Sequence, residues 1–122
     1  MNLKLSAAIR IGAKMNPQGQ RRLYSSEHKT CALGAALIGI EITPETIMHE
    51  SYKLLKPIWP ILKNKVVDCP ACGYTHEGNG LLDNIWILND YHDWTREKIA
   101  DWVETIENKE AVNKLETPSL TI

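Results

Sequence analysis

Cys31-Ala-Leu-Gly-Ala-Ala-Leu-Ile-Gly-Ile40 is the stretch on which the fold class turns. An uncharged apolar run of this length fits either a buried helix or a buried strand. Ala32, Ala35 and Ala36 favour helix, and the β-branched residues arrive only at the end. The run therefore predicts a buried helix that Gly39 terminates. Gly34, Ala35 and Ala36 leave little side chain on its surface, so neighbouring elements can approach closely.

Working outward, the flanking segments read as helices too. Leu3, Leu5, Ala8, Ile9 and Ala13 lie on one side of a helix over 3–14, and Asn16-Pro-Gln-Gly-Gln20 breaks it. Leu23-Tyr24 reads as a brief extended piece, after which Ser25 or Ser26 can cap, with Glu27 adding favourable charge. Thr43-Pro44-Glu45 is a helix start: a hydroxyl cap, proline at the first position and an acid in the first turn. Ile47, Met48, Ser51, Tyr52 and Leu55 continue as an apolar stripe until Pro57 and Pro60 close it around Trp59. Residues 61–67 read as a turn of helix or a strand, and 69–80 as loop.

Two more helices complete the chain. Leu81, Leu82, Ile85, Trp86 and Leu88 serve one. Thr95 caps the other, along which Ile99, Trp102, Val103 and Ile106 form the buried stripe, with Trp94 able to staple onto Ile99. This last helix is expected to fray after Glu110, leaving 111–122 as a loose or docked tail. The expectation is an all-α single domain over 1–122, mainly helical with at most one short two-stranded piece. At 122 residues the chain is of single-domain size.

Composition narrows the function classes. Four Trp and four Tyr with no Phe give an aromatic set as suited to an interface as to a core. No apolar run reaches membrane-spanning length, and Arg10 interrupts the only segment resembling a secretion signal. Three cysteines, two of them close together, argue against a disulfide framework and for a reducing, cytoplasmic setting. Charge is uneven: residues 1–30 carry six basic side chains against one acid, while 83–122 carry four against nine. The two ends can pair within the fold or between subunits, or leave a small basic patch at Arg21 and Arg22 for a phosphate or an acidic protein.

Two segments carry chemistry. Cys69-Pro-Ala-Cys72-Gly73 has zinc-knuckle spacing, in which two thiolates can face one tetrahedral ion. One such pair is half a site, so other ligands must come from Cys31, His28, His49, His76 or His92. The set Cys31, Cys69, Cys72 and His92 is the first choice, and it would hold zinc structurally. The alternative leaves Cys31 as a small core residue and the other two as loop thiols. A redox pair is the weaker reading, because no helix start follows.

Leu88-Asn89-Asp90-Tyr91-His92-Asp93-Trp94 packs acids, an amide and a histidine into one corner. As an active site, Asp90 or Asp93 would orient His92 as a base in a small hydrolase or nuclease-like enzyme, but no nucleophile completes the set. The simpler reading is a helix-to-helix corner with capping acids and a hydrogen-bonded or metal-bound histidine. The segment from Thr95 to Trp102 could open a helix-turn-helix, yet no basic second helix follows. Arg21, Arg22, Tyr52 and Trp59 form the candidate interaction surface, for Trp59 alongside an equally good reading as core.

The segments 31–36 (Cys-Ala-Leu-Gly-Ala-Ala), 69–72 (Cys-Pro-Ala-Cys) and 88–103 together resemble a group of small proteins of phages and bacterial prophages whose function is unassigned. Members of that group carry His just before Leu-Asn-Asp, where this chain has Ile87, and His92 matches their later histidine. The resemblance implies a phage or prophage setting in a bacterial or infected host cell. It also implies an accessory role through a protein partner or self-association. The expected function is thus a non-enzymatic helical interaction protein with a structural zinc site.

Overall fold

The computed structural model describes residues 3–73 and 80–120, of which 50, 51 and 112–120 are described by their backbone. Seven α-helices and no sheet are found among these residues. They are α1 (Leu5–Ala13), α2 (Ala32–Gly39), α3 (Pro44–Glu50), α4 (Leu55–Ile58), α5 (Ile61–Asn64), α6 (Leu81–Asp90) and α7 (Arg96–Leu120). Two isolated bridges, Gln18 with Thr30 and Val66 with Gly80, are the β-type pairings. No helix among the described residues is long and apolar enough to cross a membrane.

The 31–40 run is the buried helix its composition predicts, and every residue of α2 is buried. α2 lies at the centre, against α1, α6, α7 and α3. Its glycines permit this: a Cβ on Gly34 would overlap the main chain of Leu23, and one on Gly39 the main chain of Ala8. Leu5, Ile9, Leu33, Leu37, Ile85, Leu88, Ile99 and Val103 are fully buried around it and form the core. Burying each such side chain contributes about 1.5–3 kcal/mol before conformational entropy is subtracted.

Local caps behave as the sequence implies at two helix starts. Thr43 Oγ1 accepts from the Thr46 N–H at 3.3 Å and Thr95 Oγ1 from the Lys98 N–H at 3.1 Å. α2 is different. Ser25 Oγ instead accepts from the N–H groups of Glu27 and Lys29 within a turn, and the Cys31 sulfur caps α2 by accepting from the Gly34 N–H at 3.4 Å.

The stripe over 47–55 needs a correction. A 3₁₀ turn at Ser51–Leu54 separates α3 from α4 and shifts the helical phase. Ile47 and Leu55 remain buried, whereas Met48 and Tyr52 are exposed. Trp59, a candidate for the interaction surface, is 5% exposed and donates its indole N–H to the Leu3 carbonyl at 3.0 Å, so it fills the core. The helix expected to fray after Glu110 runs on to Leu120.

α1 and α7 are joined by polar as well as apolar contacts. Ser6 donates its N–H and hydroxyl to the buried Glu107 carboxylate. Arg10 bonds Asp101 at 2.8 Å and Glu104 at 2.7 Å. At these residues the basic front and the acidic back meet within one chain. Arg96 is 5% exposed and donates to Thr30 Oγ1 and the Ala13 carbonyl, so the first basic residue of α7 faces the interior.

Candidate metal centre

The site begins with a segment laid alongside α6. Leu81 donates its N–H to the Lys65 carbonyl at 3.0 Å, and the fully buried Asn84 donates its amide to the Val67 carbonyl at 3.1 Å. The chain then turns at 69–73. Gly73 N–H closes this turn on the Cys69 carbonyl at 2.8 Å, and Gly73 has φ 76°, a left-handed conformation suited to glycine. Proline at position 70 costs nothing here, since the bond closing the turn uses the N–H of Gly73.

The third component comes from the end of α6. Tyr91 and His92 both donate their N–H groups to the Ile87 carbonyl, and Trp94 donates to Leu88, which wraps the chain tightly around the helix terminus. Asp93 follows with φ 54°. The corner thereby turns His92 toward the cysteine turn. One ligand atom each from Cys69, Cys72 and His92 lie within 4.8 Å of one another. Cys69 is 1% exposed, and Cys72 and His92 are half-buried.

Two thiolates and an imidazole are a donor set that suits zinc-type ions. In a tetrahedral site with Zn–S near 2.3 Å, the sulfurs would stand about 3.8 Å apart.

Three of the four residues in the sequence-based ligand set are therefore together. Cys31 is outside this group: its sulfur caps α2, and burial pushes its thiol up to about 11. His28, another candidate, bonds the Tyr24 hydroxyl through Nδ1 at 2.9 Å. His76 lies outside the described residues.

Asp90 and Asp93 turn toward the 16–30 loop. Asp90 accepts from the Arg21 N–H at 2.9 Å, and Asp93 accepts from the Gln20 amide at 2.8 Å. Just before Asp90 stands the amide of this corner, Asn89, to which the sequence assigned no separate role. Asn89 is fully buried and uses both ends of its amide. Its Oδ1 accepts from Gln18 Nε2 and the Ala32 N–H, each at 3.1 Å, and its Nδ2 donates to the Gly19 carbonyl and to Asp90, each at 2.9 Å. Apart from the adjacent Asp90, the partners lie 57 to 71 residues away, which is why no local pattern reveals this hub.

No family model, curated protein or solved structure matches this chain.

Proposed function

We propose that this chain is a small helical binding module in which Cys69, Cys72 and His92 hold one zinc-type divalent ion. The ion would be structural: it ties the 65–73 segment to the corner between α6 and α7. The observation that carries the reading is the convergence of two sulfurs and an imidazole from segments about twenty residues apart. The nearly complete burial of Cys69 supports a staple rather than an open reactive thiol. His76, four positions beyond Cys72, is the nearest sequence candidate for a fourth ligand, and a water molecule would serve in its absence.

Metal bound by the native state alone adds its binding free energy to folding. Chelation should therefore lower the melting temperature of the metal-loaded chain, and zinc should restore it. Cobalt substitution should give the intense visible bands of a tetrahedral thiolate site. A metal-bearing chain whose melting temperature ignores chelation would overturn the structural role.

A phage or prophage setting, which the resemblance of three segments implies, would fit an accessory role exercised by binding. The exposed aromatic and basic side chains beside the metal-bearing corner support a protein partner.

A further inference from the structure

Arg21 stands in an unusual backbone conformation for its residue type. Its φ is 69°, in the left-handed region, and Asp90 holds it there through the Arg21 N–H. Its guanidinium lies 5.8 Å from the centroid of the Tyr91 ring, and Tyr91 stacks edge-on against Trp86 at 5.9 Å. Tyr91, Tyr52 and Met48 are exposed at 61%, 41% and 58%. Arginine, tyrosine and tryptophan are the residue types that dominate binding energy at protein interfaces.

The surface has two depressions separated by a ridge of Arg21 and Tyr52. One, of about 220 Å³, lies between that ridge and Arg22, Leu23 and Met48. The other, of about 410 Å³, lies between the ridge and Leu82, Trp86 and Tyr91. Each is large enough for one apolar side chain.

The charge on this surface is one-sided in its unmet demand. Asp90 accepts from Arg21 N–H and Asn89, and Asp83 accepts from the Trp86 indole at 3.3 Å. Neither Arg21 nor Arg22 forms an ion pair among the described residues. Two exposed guanidinium groups thus border the two depressions, the first of mixed polarity and the second mainly apolar with Asp90 at its edge, and neither guanidinium is ion-paired among the described residues.

We infer that this surface docks an acidic peptide segment of a partner protein. The segment would set an Asp or Glu on the Arg21–Arg22 pair, with an apolar anchor on either side of it. Anchors three or four residues apart on a helix would span the ridge. Guanidinium forks favour a carboxylate in paired geometry, which makes the acid a specificity element. The inference rests on the binding-module reading and does not require the metal.

The test is selection from a displayed random dodecapeptide library on the full chain, its metal content known. Enriched peptides should carry an acid between two apolar residues. A synthetic peptide from the pool should lose affinity at least about tenfold with the double substitution R21Q/R22Q, and similarly with Y52A. The melting temperatures of both variants should stay near that of the parent, since the Arg21 N–H survives in Gln. No enrichment, or peptides that bind the variants equally well, would overturn the inference. Tighter binding of an oligothymidylate, or a dimer abolished by the same substitutions, would overturn the peptide assignment. Failure here with one metal per chain sinks the docking surface alone, while peptide binding by a folded chain that fails to take up zinc sinks the staple alone.

Discussion

Gly12 on α1 packs so closely on Ala35 of α2 that a methyl group at position 12 would overlap the Ala35 carbonyl. The obstruction is backbone, which cannot swing aside as a flexible side chain would. Gly12→Ala should therefore cost about 3 kcal/mol or more, at the upper end of overpacking effects. Gly73→Ala meets open space and loses only the left-handed preference, about 1–2 kcal/mol. Urea midpoints of the two variants check the order, and equal losses would contradict it.

Asn89→Asp tests the hub at the Leu-Asn-Asp corner. The substitution replaces a donor facing the Gly19 carbonyl and Asp90 by an acceptor, and places a charge in a fully buried position. Stability should fall by about 3 kcal/mol or more at neutral pH. Much of the loss should return at low pH, where the new carboxyl is protonated. A pH series of denaturation midpoints against the parent reads both effects.

Glu107 and Arg10 make contrasting contacts between α1 and α7. Glu107 is 9% exposed and receives two hydrogen bonds from Ser6. Glu107→Ala leaves the Ser6 N–H and hydroxyl without that acceptor, and should cost about 1–3 kcal/mol. Arg10 is a third exposed and its partners more so, so Arg10→Ala should cost no more than about 1 kcal/mol and depend on salt. A salt-insensitive loss at Arg10 larger than that at Glu107 would contradict this ranking.

How far these features were legible in the sequence depends on whether their causes are local. Thr43 and Thr95 cap helices because a hydroxyl reaches an N–H three residues on, and the sequence displays that spacing directly. The α2 helix was legible through its alanines. The exposure of Met48 and Tyr52 was not, because the 3₁₀ turn over Ser51–Leu54, which includes Tyr52, changes the phase of the stripe before Leu55. At the candidate metal centre, Cys69 and Cys72 were legible by residue type and spacing, and His92 was one of several candidate ligands that residue type alone offered. Cys31 has the same side chain as its supposed co-ligands, but lies buried at the start of α2, where its sulfur is consumed as a cap. Asn89 was invisible as a hub since its partners other than Asp90 are distant in sequence.

The Cys31 thiol gives an alkaline signature. Burial raises it from an ordinary value of 9.0 to about 11, so the folded chain holds this proton where the unfolded chain has released it. The associated stability is complete below pH about 9 and is lost as pH rises toward 11, by at most roughly 2–3 kcal/mol. Tyr52, raised to about 12 mainly by burial, acts in the same direction at higher pH. Cys31→Ser keeps a capping oxygen and removes the thiol, so its denaturation midpoint should fall less than that of the parent between pH 8.5 and 10.5. Parallel curves would show that the Cys31 proton is not linked to folding.

The metal centre itself is tested most directly by native mass spectrometry with elemental analysis on one sample, purified without added metal or chelator. One zinc-type ion per chain is expected, lost in Cys69→Ser and Cys72→Ser but not in Cys31→Ser. A folded, metal-free parent chain that also fails to take up zinc would contradict it, leaving Cys69, Cys72 and His92 as neighbours without an ion.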